Sequence, residues 1–376
     1  MKNVKVCFYS PFAYSLFNPS TTVTHGGSEI DLFIVSTAIA QDPRFSVTFI
    51  SGDFGQPKIE KYRNLTLYRS FRTDIRGWKR SLYAIFVALP RLFGALNKAK
   101  ADIYVQEGIG FETGAIALFC ILRRKKFIYR IASTVDCDGT ATKHWPLMGR
   151  IFLFGLKHAN SIISQYQEQA SLLNKNYGLL STCIPNILLQ PEKDERRPTS
   201  QRKYVLWINR LVPMKNPEIL IKIARMHPDE LFIMVAPTDP NNQAYAQKIF
   251  KLAAAEKNIR LIPGLKRPQL NELYCEAKIL VNTSDFEGYP NTFIEAGAYK
   301  VPVLTLNVNP DNIFTKNGFG FCAQGDVYAL SKALTTWLEL PEKRERAGQA
   351  LFDYVDKVHT LKKNLPLYVE LFIQNT

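Results

Sequence analysis

Ser284-Asp285-Phe286-Glu287-Gly288-Tyr289-Pro290-Asn291-Thr292-Phe293-Ile294-Glu295-Ala296 follows directly on the apolar run Lys278-Ile279-Leu280-Val281-Asn282. The run reads as a buried strand. Pro290 and Asn291 are helix-start signals, and Phe293 to Tyr299 reads as the helix they open. The order is therefore strand, turn, helix, with Glu287 on the turn and Glu295 inside the helix. This order aims backbone N–H groups and a positive helix end into a crevice at a strand terminus, which suits an anion. The two carboxylates add acceptors for hydroxyl groups. Phosphate plus hydroxyls describes a sugar nucleotide. A surface turn with two solvated glutamates would carry the same letters, so the rest of the chain has to decide.

The second half of the chain supplies the matching cations. Lys203 to Ile208 reads as a strand, and Asn209-Arg210-Leu211-Val212-Pro213-Met214-Lys215-Asn216-Pro217 as the loop after it. Helix Glu218 to Met226, strand Leu231 to Ala236, helix Asn242 to Glu256, strand Ile259 to Ile262 and helix Pro268 to Cys275 follow. Arg210 and Lys215 thus sit at a strand's carboxyl end. Two fixed cations there can neutralise a diphosphate as its bond to a sugar breaks. Ahead of this series, Pro185 to Arg202 carries Pro191, Pro198 and the charged run Glu192 to Arg197, and reads as an exposed linker.

The first half repeats the alternation. Val4 to Tyr9 reads as a strand, and Gly26-Gly27-Ser28-Glu29 opens a helix over Ile30 to Ala40, with Ser28 as the expected N-cap. Paired glycines allow close backbone approach to a phosphate. Phe45 to Ser51, Leu65 to Tyr68, Ala101 to Val105, Phe127 to Ile131 and Ile162 to Ser164 read as further strands, so a parallel α/β sheet is expected. Gly108-Ile109-Gly110-Phe111-Glu112-Thr113-Gly114 resembles a dinucleotide turn, but it follows a late strand, and basic Arg130 stands where an acid is wanted. Asp136-Cys137-Asp138 could hold a divalent cation, but no other acid lies near it in sequence; a polar loop near the ligand is the preferred reading. Arg76 to Lys100, with Trp78, Lys79, Arg80, Tyr83, Phe86, Arg91, Phe93 and Lys98, mixes rings and cations as a membrane-interface segment does, and equally as a core helix with a basic outer face does.

At 376 residues and 46% hydrophobic content, two globular domains are expected. Net charge is +15, concentrated early: residues 1–180 hold 23 Lys and Arg against 12 Asp and Glu, the remainder 25 against 21. A basic first half points to an anionic partner. The six cysteines form no CxxC pair, which fits reduced core thiols. Val4 to Tyr9 is too short for a secretory signal, and no segment reads as membrane-spanning. A cytoplasmic protein, peripheral on the inner face of a membrane, is the expectation.

Taken together these motifs resemble a known family. Asn209 to Lys215 is similar to the GRLxxxKG segment of retaining GT-B glycosyltransferases of the family 4 type (glycosyl transferases group 1). Glu287 to Glu295 resembles that family's E-x7-E motif, and Gly26 to Glu29 its N-terminal Gly-Gly-x-Glu loop. The resemblance implies two Rossmann-like α/β domains facing each other across a cleft. It implies residues 1–184 as the acceptor domain, 185–202 as linker, 203–358 as the donor domain, and 359–376 as a helix crossing back to the first domain. It implies Arg210 and Lys215 on the donor diphosphate, Glu287 on the sugar and Glu295 on the ribose. Backbone groups of Gly288, Tyr289, Pro290, Asn291 and Thr292 would touch phosphate, with Gly26 and Gly27 approaching it from the first domain.

The implied activity moves a hexose-type sugar from a nucleoside diphosphate to a lipid-linked or polysaccharide acceptor, with retention and without a metal or other cofactor. No nucleic-acid partner is expected. Asn209 and Asn216 replace two glycines of the family pattern. The histidine that many relatives carry after the strand ending near Arg130 is missing, which leaves Ser133, Asp136 and Asp138 as acceptor-side candidates. Two other readings stand beside this one. The first is a non-catalytic sugar-nucleotide or polyanion binder on the same fold. The second is a dinucleotide-dependent oxidoreductase, which would need a glycine fingerprint that neither domain's first strand supplies.

Overall fold

Runs of buried apolar residues generate two parallel sheets, one in each half of the chain. The computed structural model describes residues 3–21, 26–75, 79–188, 197–239, 242–265 and 267–376. Arg76, Gly77, Trp78, Pro191 and most of the charged run Glu192 to Arg197 therefore lie outside the described residues. The chain divides into two units, Met1–Ile187 together with Leu361–Thr376, and Leu188–Thr360.

The first unit is built on β1 (Val4–Tyr9), β2 (Phe45–Ser51), β3 (Ile59–Tyr62), β4 (Leu65–Arg69), β5 (Ile103–Glu107), β6 (Lys126–Arg130), β7 (Ser161–Ser164) and β8 (Thr182–Cys183). Their order across the sheet is β3-β4-β2-β1-β5-β6-β7-β8. All neighbours are parallel except β3, which is antiparallel to β4. The sequence reading had no strand over Ile59–Tyr62. Its residues alternate between exposed and half-buried, so it lacks the apolar run that marks the inner strands. Helices Gly27–Ile39 and Leu361–Gln374 cover one face of the sheet. Helices Leu89–Ala99, Phe111–Arg123 and Pro146–Lys157 cover the other.

One local expectation is corrected here. The first long helix begins at Gly27, with Gly26 and not Ser28 at its N-cap. Pro90 stands in the first turn of helix Leu89–Ala99, which is preceded by a π-helical turn over Ala84–Ala88. The glycines that resemble a dinucleotide turn do structural work. Gly108 takes a positive φ of 87°, and Gly110 caps helix Phe111–Arg123. A Cβ on Gly114 would come within 2.6 Å of Ile151, so that glycine lets two helices touch.

Arg130 is the buried hub of the first unit. Its guanidinium donates to Asp31 at 3.2 Å, Glu107 at 2.5 Å, Asn186 at 2.6 Å and the Tyr368 hydroxyl at 2.9 Å. It thereby ties two strands, the first long helix, the chain leaving β8 and the C-terminal helix together. Burial pushes the Glu107 carboxyl well above the usual range, against the pull of Arg130.

The second unit holds β9 (Tyr204–Ile208), β10 (Phe232–Val235), β11 (Ile259–Ile262), β12 (Ala277–Asn282), β13 (Val303–Thr305) and β14 (Gly320–Cys322), in the order β11-β10-β9-β12-β13-β14 and all parallel. The chain steps one way from β9 to β11, then returns to the other side of β9 as β12. The described ends of the expected exposed linker are mixed: Arg197, Pro198, Ser200 and Gln201 are exposed, while its first and last residues are anchored. Asn186 and Ile187 are buried, and the Arg202 guanidinium donates to the carbonyls of Ala277, Tyr299 and Lys300. Among the described residues no helix is long and apolar enough to cross a membrane.

Candidate functional site

The reversal of strand order between β9 and β12 opens a crevice at their carboxyl ends, the place where open α/β sheets receive ligands. The loops after these two strands are the ones that carry Arg210, Lys215 and Glu287. After β9 the chain runs through a 3-10 turn, Pro213–Lys215, to Asn216 in the left-handed region at φ 48° and on to helix Pro217–Met226. β12 ends in a buried polar run, Asn282, Thr283 and Ser284.

Hydrogen bonds lace the two loops to each other. The Thr283 hydroxyl donates to the Lys215 carbonyl at 2.7 Å and accepts from Trp207 Nε1 at 2.9 Å. Asn216 Nδ2 donates to Asp285 Oδ1 at 2.6 Å and to the Thr283 carbonyl at 3.2 Å, and Asp285 N–H to the Met214 carbonyl at 3.0 Å. The frame fixes Lys215, which is buried and ion-paired to Glu287. Ser284 Oγ steadies the same carboxylate at 2.8 Å. Sequence reasoning missed this polar frame. The signal was present: three polar residues follow an apolar strand without a break.

Helix Asn291–Ala298 starts right after the turn. Pro290 stands at its N-cap without a capping oxygen, and its first turn has no acid. A helix start without a capping side chain or a first-turn acid favours an anion. Glu295 accepts from the Tyr274 hydroxyl at 2.8 Å, and Tyr274 stacks on Tyr299. Tyr289 turns inward, its ring 4.7 Å from that of His359, so this residue can offer a ligand only its backbone. Burial raises its hydroxyl pKa well above the ordinary value. Gly288 and Pro290 are buried, while Asn291 and Thr292 are half-buried. Arg210 has a different partner: its side chain is 47% exposed, 3.7 Å from Asp239 on the loop after β10.

In the first unit the glycine turn is already partly committed. Gly26 N–H donates to Glu29 Oε2 at 2.7 Å, and Ser10 Oγ to Glu29 Oε1 at 3.4 Å. The Glu29 carboxylate thus holds the helix start itself. The three acceptor-side candidates serve the local chain after β6. Asp136 is buried, accepting from Tyr129 at 2.6 Å and Ala132 N–H at 2.9 Å. Burial pushes its carboxyl up to about 6, against those hydrogen bonds. Ser133 accepts from Val135 N–H, and Asp138 from Thr140 N–H at 2.8 Å. Ser133 and Asp138 remain half-buried, with surface to offer a ligand. Among the described residues no cluster of His, Cys, Asp and Glu has the geometry to hold a metal.

Residues 190–352 match the family model described as Glycosyl transferases group 1. A curated relative from Haemophilus influenzae, described as an uncharacterized glycosyltransferase, is 25% identical over 177 residues, which are 45% of this chain and 48% of the relative. The chain spans about half the length of that relative. Among solved structures, sucrose-phosphate synthase from Thermosynechococcus elongatus superposes with a TM-score of 0.80 at 18% identity, covering 99% of this chain and 98% of that one. Alr3699/HepE from Anabaena, in complex with UDP and glucose, superposes with a TM-score of 0.75 at 15% identity, covering 99% and 100%. The architecture, two Rossmann-like units each on a parallel sheet, is that of GT-B glycosyltransferases.

Proposed function

We propose that the protein is a retaining glycosyltransferase that takes a hexose-type sugar from a nucleoside diphosphate and passes it to a lipid-linked or polysaccharide acceptor. The observation that carries this is the pairing of Lys215 with Glu287 at the β9–β12 switch point, beside an uncapped helix start. A cation and a dipole end there suit a diphosphate; a carboxylate one hydrogen bond away suits a sugar hydroxyl. The family-model match over the second unit and the UDP and glucose bound by the Anabaena structure support the donor class.

In this reading the sugar–phosphate bond breaks and the diphosphate leaves with the bonding electrons. Lys215, Arg210 and the first-turn N–H groups of Asn291 and Thr292 meet its charge. The acceptor oxygen attacks the same face of the sugar, and its proton passes to the departing phosphate oxygen. Glu295 holds the ribose. Gly26 and Gly27 are kept as the first unit's contacts to the diphosphate. Ser133 and Asp138 are its acceptor-side groups, with Asp136 shaping the turn between them. Because side-chain cations and a helix end supply the positive charge, turnover is expected without a divalent metal.

The test is a thermal shift across a panel of UDP- and GDP-sugars, then transfer of labelled sugar from the best donor in buffer with a chelator. A ligand that binds the native state raises the melting temperature. Lys215→Ala is expected to abolish that shift and to cut turnover by about 10²–10³. Full turnover in this variant would remove the site assignment, and turnover that needs added metal would remove the metal-free mechanism.

A further inference from the structure

We propose that the first unit docks on an anionic lipid surface through one face, formed by the helical run Lys79 to Ala99 and helices Phe111–Arg123 and Pro146–Lys157. This deepens the proposed function, since a lipid-linked acceptor would bring the enzyme to a bilayer, but it rests on different residues.

The three elements share one side of the first sheet and lie against one another. The rings of Phe93 and Phe119 meet at 5.5 Å, joining the first element to the second. Gly114 faces Ile151, and Gly155 faces Thr113, joining the second to the third. Their inner sides fill the core with Leu92, Leu96, Ile116, Phe119, Phe152 and Leu156. Their outer sides are also apolar. Phe86 is 72% exposed, Leu122 66% and Leu147 75%, with Ile85 and Trp145 exposed beside them. Single exposed apolar residues need no explanation, but five large ones on adjoining elements mark an interaction surface.

Charge decides which kind. There is no Asp or Glu between Arg76 and Lys100, between Thr113 and Val135, or between Gly139 and Asn160. Arg123, Arg124, Arg150 and Lys157 are exposed and make no ion pair among the described residues. Protein interfaces deplete charge at their centre. A face whose protruding rings and aliphatic chains stand beside unpaired cations, with half-buried Glu112 the one acid in its helices, suits a bilayer instead. The apolar groups enter the headgroup–acyl boundary, the cations meet lipid phosphates, and Trp145 sits at the level where indole is favoured.

The experiment is co-sedimentation of the full chain with vesicles of phosphatidylcholine alone and of phosphatidylcholine mixed with phosphatidylglycerol. Binding to the anionic vesicles, weak binding to the neutral ones and release by salt are expected. Arg123→Glu with Arg124→Glu should weaken anionic binding roughly thirtyfold. Phe86→Ser with Leu147→Ser should weaken it at least about tenfold. Both double variants should keep the wild-type melting temperature and its shift with the best donor of the panel, which shows that they fold. Three outcomes overturn the proposal: no sedimentation, equal binding to both vesicle types, or binding that neither double variant reduces. Vesicle binding without a shift from any UDP- or GDP-sugar would leave docking standing and remove the proposed function instead.

Discussion

Asp136 shows how a polar residue near a candidate site can belong to the fold. Its carboxyl is buried, and its pKa rises from 3.8 to about 6. The native state then holds a proton that the unfolded chain has lost. Stability from this group is fully present below about pH 4 and is lost as the pH rises to about 6. Asp136→Asn keeps the shape without the charge. The stability difference between variant and wild type should therefore shift toward the variant by about 3 kcal/mol between pH 4 and pH 7. Urea unfolding at both pH values, followed by near-UV signal from the first unit, checks this; a difference flat with pH would refute the buried-charge account. Single-residue reading separates such roles poorly. The sequence put Ser133, Asp136 and Asp138 after a strand, where ligand residues also gather, but nothing in the letters says that Tyr129 and Ala132 turn Asp136 inward. Arg130 is the opposite case. An arginine closing the apolar run Phe127-Ile128-Tyr129 reads as a missing acid, and only the fold shows Asp31, Glu107 and Tyr368 gathered around it.

Among the elements, the inner parallel strands were legible because burial on both faces writes them as continuous apolar runs. β9 and β12 are of this kind, while β1 and β2 each carry one exposed polar residue, Lys5 and Ser46, near the start. β3, with its alternating exposure, and β8, only two residues long, carry no such run. Strand order is a further step that periodicity cannot supply, because it depends on which strands pair and not on how each is patterned. That order is what brings the loops after β9 and β12 together, and with them Lys215 and Glu287. Helix contact was also hidden in the glycines. Gly155 packs on helix Phe111–Arg123 so closely that a Cβ would lie 2.6 Å from the Thr113 carbonyl. Backbone on the far side cannot step away as a flexible side chain could. Gly155→Val should therefore cost about 1–3 kcal/mol through overpacking, seen as a lower melting temperature. Gly94 has open space where its Cβ would be, so Gly94→Ala at this helical position should leave stability unchanged or slightly raised. Equal effects at the two sites would remove the packing argument.

For the whole molecule, the telling feature is that the last helix completes the first sheet's cover although 173 residues of the second unit, Leu188–Thr360, precede it in the chain. Leu361–Gln374 is not an appended tail. Tyr368, Leu371 and Phe372 are buried in the first unit's core, with the Phe372 ring 6.1 Å from Phe8 and 6.3 Å from Phe45. Tyr368 also gives Arg130 one of its partners, and Asn364 reaches the Asn186 carbonyl. Full burial of an aromatic or aliphatic side chain contributes about 1.5–3 kcal/mol, so these three together approach the 5–15 kcal/mol that holds a typical domain folded. A chain ending at Thr360 would expose the face of β1 and helix Gly27–Ile39 that they cover, and leave the Arg130 cluster open to water. Its first unit should then unfold or aggregate at room temperature. Its second unit, with its own core of Trp207, Phe232, Leu334 and Trp337, should keep a cooperative transition. Phe372→Ala in the full chain is the graded version, expected to cost about 3–5 kcal/mol in the first unit alone. Calorimetry distinguishes the cases, because a loss confined to the first unit leaves the second transition in place. Equal loss from both units would show that the last helix stabilises more than the sheet it covers.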